Sequence, residues 1–222
     1  MDATAMPETS NKTNVLLITA HLFIVLLSGT IFFSTFQWNI LFAYHPSLMS
    51  VAFVLYMSEG VLVSRYIKTK ERQKYLQVHL CLQALSVVFS TLGFLAIYVN
   101  KNNKGSFHLV TWHAWCGAAV LIMQASLTTV GLMLHYRRKN IIYLGGHWLY
   151  RVIARTHSIA GGATHALACL TMALGFYSAY ATVNFSENWR SAMVVMLLAL
   201  AVLVQLMRPK KRSGAGNTRV VG

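Results

Sequence analysis

Residues 109–134 read LVTWHAWCGAAVLIMQASLTTVGLML, and Arg137, Arg138 and Lys139 follow shortly after. The run holds no Asp, Glu, Lys or Arg over 26 residues. A hydrocarbon core about 30 Å thick needs about 20 helical residues, so this stretch is long enough to cross one. Five more apolar runs, 17 to 26 residues long, carry at most one charge each (Glu59 in the second, Arg155 in the fifth): 15–36, 45–64, 77–99, 153–178 and 191–207. The loops between the six have 8, 12, 9, 18 and 12 residues, too few for a soluble domain. The pattern predicts an all-α membrane protein, a six-helix bundle over residues 15–207. A polar N-terminal tail, 1–14, and a basic C-terminal tail, 208–222, flank it. The first run is too long for a signal-peptide core and its leading residues are weakly charged, so it reads as an uncleaved span.

Composition agrees. Hydrophobic residues make up 56% of the 222 and charged residues only 11%, where a soluble domain carries about 25%. The formal net charge of +14 would suggest nucleic acid if it were spread over a soluble surface. Instead the charges sit between apolar runs, which points to a lipid bilayer and to no nucleic acid. Fifteen basic residues lie on one side: Arg65 to Lys74 after the second run, Arg137 to Arg155 around the fourth loop, and the tail. The opposite loops hold three, Lys101, Lys104 and Arg190. That asymmetry places both termini in the cytoplasm. Cys81, Cys116 and Cys169 are an odd number inside apolar runs and form no disulfide framework.

The chemistry lies in the histidines. Ionisable side chains within spans are rare and usually functional, though an isolated histidine is often a packing residue. Four form a pattern: His45, His79, His113 and His157 each sit near the N-terminal end of their run. Successive spans alternate in direction, so His45 and His113 share the outer level and His79 and His157 the cytoplasmic level. Two imidazoles from facing helices suit axial ligation of a haem iron and fill both axial positions, which favours electron transfer over oxygen binding. A structural zinc site wants four ligands, and each level offers two. Gly117 and Gly161 follow His113 and His157 by one turn, where a missing side chain lets a flat macrocycle approach the backbone. Gly131 and Gly175 follow the same histidines by eighteen residues, five whole turns, and point to the level at the other end. Two other classes stay open on the residues alone. One is a transporter using histidines for protons or metal ions, which one intramembrane carboxylate, Glu59, supports thinly. The other is a non-enzymatic membrane protein without haem.

The strings YHPSLMSVAF around His45, LQVHLCLQ around His79, FHLVTWHAWCG around His113 and ARTHSIAGG around His157 resemble the cytochrome b-561 family of ascorbate-dependent transmembrane reductases. Within it, HPSLMS and HLVTWH look most like the short subgroup called cytochrome b-561 domain-containing protein 2. Better-known members carry Ser-Leu-His-Ser-Trp where this chain has Thr111 to Trp115. The resemblance implies two haem b groups on the histidine pairs, cytoplasmic ascorbate as donor, and monodehydroascorbate radical or ferric iron as outer acceptor. It also implies a homodimer.

A cytoplasmic site for the ascorbate monoanion wants cationic donors, so Arg65, Lys74, Arg151, Arg155 and Arg72 are the candidates. On the outer side, His108 precedes His113 by five residues and is placed to meet a ferric complex or relay a proton. Glu59 lies fourteen residues after His45, about 40° from it in azimuth on a regular helix. It should therefore point inward near the cytoplasmic haem, pairing with Arg65 or a neighbouring donor. His21, His135, His147 and His165 read as packing or loop residues. No lipidation motif or terminal retention tetrapeptide marks the membrane. The basic tail favours the endoplasmic reticulum or a vesicle membrane, with the plasma membrane as the other candidate.

Overall fold

The computed structural model describes residues 8–65 and 72–207, and the side chains of residues 15–64 and 73–207. Among the described residues every regular element is helical, and six helices are long and apolar enough to cross a membrane. The protein is an integral multi-pass membrane protein of the all-helical class. Much of the basic loop after the second span, and the C-terminal tail, lie outside the described residues.

Helix α1 runs Glu8–Thr35. The second span, Leu41–Ser64, is one rod in three parts: α2 (Leu41–Met49), a π-helical stretch Ser50–Met57, and α3 (Ser58–Arg65). Serine side chains accompany the wider turns. Ser58 Oγ donates to Phe53 O, five residues back, at 3.0 Å. Carbonyls of the π stretch accept from neighbouring helices, Ser50 O from Ser28 Oγ at 3.2 Å and Ala52 O from Ser86 Oγ at 2.7 Å. In hydrocarbon each displaced carbonyl needs such a partner.

Helix α4 (Arg72–Asn103) returns across the membrane. The apolar run at 109 starts helix α5 only at Trp112 (Trp112–Tyr136), because Leu109 takes a left-handed φ of 54° and Thr111 caps the helix by accepting from Ala114 N at 3.2 Å. Helix α6 (Arg138–Gly175) begins inside the stretch expected to be a loop. It breaks at Gly145 and Gly146, where φ of 68° at Gly146 suits a residue without Cβ. A short α7 (Ala179–Asn184) precedes α8 (Glu187–Leu206), whose cap is Ser186 Oγ accepting from Trp189 N.

The second span, α4, α5 and α6 form the inner four helices, with α5 between α4 and α6; α1 and α8 flank them. One buried cluster joins the flanking pair to the bundle through Ile24, Leu27, Leu62, Cys169, Leu197 and Leu200. A second, Met49, Ala52, Phe53, Met57, Val120 and Ala168, fills the middle of the inner four. Beside it Gln124 bonds two helix-α4 hydroxyls, accepting from Ser90 Oγ at 3.0 Å and donating to Ser86 Oγ at 2.6 Å. Large apolar side chains such as Leu26, Phe33, Ile122 and Val195 stay exposed on the outside, where lipid is the solvent.

Candidate functional site

The four helix-end histidines meet as two pairs. At the end remote from the basic loops, the His45 and His113 ring centroids are 6.0 Å apart with planes at 89°. At the basic end, His79 and His157 are 6.4 Å apart at 84°. Neither pair stacks, and neither is close enough for a ring–ring hydrogen bond to explain it.

Backbone carbonyls orient three of the rings. His45 Nδ1 donates to Gly93 O at 3.0 Å, His79 Nδ1 to Gly60 O at 2.7 Å and His113 Nδ1 to Thr171 O at 2.8 Å. A carbonyl accepts only from a protonated Nδ1, so each of these rings keeps its Nε2 lone pair. Metal-binding imidazoles are held this way, with the second nitrogen tied to a carbonyl. His157 differs, since its Nδ1 is buried without a partner among the described residues. Its ring lies against Gly131, where a Cβ would stand 3.2 Å from His157 Cε1. Gly175 serves His113 likewise, at 3.1 Å from Cε1. Each histidine of the antiparallel α5/α6 pair therefore rests on a glycine of the other helix.

The geometry permits a test of fit. A nitrogen-bound metal sits about 2 Å from its ligand, which places it about 3.1 Å from the ring centroid; two trans imidazoles then have centroids about 6.2 Å apart. Both pairs fall within a few tenths of an ångström of that. Among the described residues no group of three or more His, Cys, Asp or Glu gathers, so each level supplies two donors. A porphyrin, which brings four nitrogens of its own, would fit a level that offers two imidazoles.

At the basic end a cavity of about 570 Å³ surrounds the second pair. Helix α6 lines it with Tyr150, Ala154, His157, Ser158 and Gly161, and α5 with Gln124, Gly131 and His135. Gly161 faces open space, whereas Gly117 has only Thr171 Cγ2 nearby, at 3.7 Å. Arg151 and Arg155 fall on the exposed flank of α6 and Lys74 on that of α4, off the cavity lining. The side chains of Arg65 and Arg72 lie outside the described residues. His108 is exposed on the far side, stacked on Tyr98 at 4.9 Å and bonded to Asn102 Oδ1 at 2.8 Å. Beside the first pair, Phe42 bridges His45 and Tyr180, whose buried phenol lacks a partner among the described residues. Burial pushes that phenol above the ordinary tyrosine range and keeps it an O–H.

Glu59 departs from its expected place. It bonds His21 of α1, away from the inner pair. A π-helical residue turns by about 82° where an α-helical one turns by about 100°, so the eight-residue stretch lags by about 140°. That lag carries Glu59 to the opposite face of the rod. His165 is fully buried and bonds Ser58 Oγ at 2.9 Å.

Residues 44–182 match the family described as "Eukaryotic cytochrome b561". The chain belongs to the cytochrome b561 family. All four paired histidines fall inside the matched stretch, while α1 with His21 and α8 lie outside it. Haem b is the cofactor of this family. The Bos taurus protein named transmembrane reductase CYB561D2 is 27% identical over 192 residues, covering 83% of this chain and 83% of its own length. The Homo sapiens protein named probable transmembrane reductase CYB561D1 is 29% identical over 196 residues, covering 86% and 81%. The Oryza sativa subsp. japonica protein named probable ascorbate-specific transmembrane electron transporter 1 is 23% identical over 196 residues, covering 82% and 80%.

Proposed function

We propose that this cytochrome b561 is a di-haem transmembrane reductase, moving single electrons from cytoplasmic ascorbate to the monodehydroascorbate radical or ferric iron on the far side. The observation that carries the reading is the pair of imidazole pairs, each spaced for trans ligation, at opposite ends of one bundle. His45 and His113 would hold one haem b, and His79 and His157 the other. Bound there, each haem supplies a reversible one-electron carrier. Gly93, Gly60 and Thr171 fix the ring orientations through their carbonyls. Phe53, Val120 and their neighbours fill the space between the levels with apolar side chains. The charge asymmetry supports a cytoplasmic basic end, with residues 15–207 as the membrane domain between two cytoplasmic tails. The rice relative's name supports ascorbate as donor. Arg65, Arg72, Lys74, Arg151 and Arg155 would raise the local concentration of that anion at the basic face, since field strength there does not need cavity contact. His108 would meet the acceptor outside. An internal membrane and a homodimer complete the reading.

The test is purified protein in liposomes with ascorbate on the basic face and ferric citrate on the other. Reduced b-type bands and ferrous iron that depend on ascorbate are expected. Haem-loaded protein that ascorbate leaves oxidised would refute the donor assignment.

Gly175→Val should place methyl groups against the His113 ring. Overpacking of this kind costs about 1–3 kcal/mol, and here the ring is the part free to yield. Less haem per chain, with the basic-end haem retained, is expected from pyridine haemochrome assay and difference spectra. The mirror change Gly131→Val should act on His157.

A further inference from the structure

His135 stands on the lining of the basic-end cavity, one turn beyond Gly131 on the same face of α5. Gly131 touches His157, so His135 is about 6 Å further along the axis toward the basic face. Tyr150 of α6 also lines the cavity, with the Arg138 guanidinium 5.3 Å from its ring centroid. The other titratable groups facing the cavity are few. Helix α4 presents His79, α6 presents Tyr150 and His157, and the second span presents Met57, Val61 and Ser64, none titratable. Tyr136 packs edge-on against the His135 ring at 4.6 Å. No carboxylate lines the cavity among the described residues.

This matters for the donor reaction. The ascorbate monoanion that loses one electron also loses its remaining enediol proton and leaves as the ascorbyl radical anion. A haem held by His79 and His157 would accept the electron, and the proton needs a base within reach of the same molecule. His79 and His157 are committed to that level, and tyrosine is a poor base near neutrality. Imidazole is the side chain suited to the task.

We infer that His135 is the base that takes this proton, an inference that rests on the ascorbate function proposed above. The ascorbate O–H bond breaks as a ring nitrogen of His135 gains N–H, and the imidazolium then releases the proton at the cytoplasmic mouth. Arg138, held over the ring of the cavity-lining Tyr150, adds positive charge on the side from which the anionic donor comes.

The experiment is stopped-flow reduction of the haem-loaded protein by two donors. Ascorbate gives an electron and a proton; hexaammineruthenium(II) gives an electron alone. In His135→Gln the ascorbate rate should fall on the order of 10²-fold. The ruthenium rate, haem content and midpoint potentials should stay as in the unaltered protein. In His135→Ala, added imidazole should restore the ascorbate rate. Equal slowing with both donors, or a shifted potential with reduced haem content, would make His135 a haem-positioning residue and overturn the inference. So would an unchanged ascorbate rate. Failure of the function itself reads differently, as an unaltered protein reduced by ruthenium and not by ascorbate.

Discussion

Replacing His113 by alanine should remove one haem and leave the other, halving the haem per chain. The two histidine pairs share no ligand and sit at opposite ends of the bundle. Loss of His113 would leave His45 facing a ring-sized gap, with one imidazole where the proposed ligation uses two. The basic-end pair keeps His79 on Gly60 O and His157 against Gly131. Ascorbate should still reduce the remaining haem of His113→Ala, while transmembrane iron reduction falls to background. His157→Ala should do the reverse at the donor, abolishing reduction by ascorbate from the basic face. Frozen-solution EPR of the oxidised protein adds an independent check. Near-perpendicular imidazoles, at 89° and 84°, leave the iron π orbitals close in energy, so both centres should give highly anisotropic low-spin signals. Each variant should delete one signal. A protein that keeps both signals after either substitution would refute the ligand assignment.

The second large effect concerns stability. Glu59 has a side chain only 15% exposed and bonds His21 of α1 within the membrane domain. Without His21 the mostly buried Glu59 side chain loses its hydrogen-bond partner, which costs on the order of 1–3 kcal/mol. His21→Leu should therefore sharply lower the Tm of the purified protein in detergent. Glu59→Gln keeps a hydrogen bond to His21 and should lower it far less. The double variant, carrying both His21→Leu and Glu59→Leu, should recover most of the loss, since replacing both hydrogen-bond partners by apolar groups is close to neutral. Melting curves of His21→Leu, Glu59→Leu and the double variant, beside the unaltered protein, test this coupling. Additive losses in the double variant would show that the two residues act separately.

Much of the candidate site was legible from residue order. An apolar run of known length fixes a helix's depth, and a histidine a few residues from its end inherits that depth. Alternating span direction then sorts His45 with His113 and His79 with His157, with no knowledge of packing. The eighteen-residue steps to Gly131 and Gly175 were also readable, because α5 and α6 are regular between those points. Tyr150, seven residues before His157, shares its face by the same periodicity, a signal present in the sequence that the helix-end histidines overshadow.

Other features depended on three-dimensional packing. The carbonyls of Gly60, Gly93 and Thr171 orient the rings, and a backbone acceptor has no side-chain signature. Cationic residues near His157 in sequence lie off the cavity, and His135, distant in sequence, lines it. Glu59 shows the limit most clearly, because a wheel drawn at constant pitch fails wherever the pitch changes. Sequence by itself determined how many helices cross, how deep each histidine lies and which ones face each other, because apolar length and helical rise are local properties. Only the tertiary structure decided which way Glu59 turns, what holds each imidazole and which residues share the inner cavity, because those depend on contacts between helices far apart in the chain.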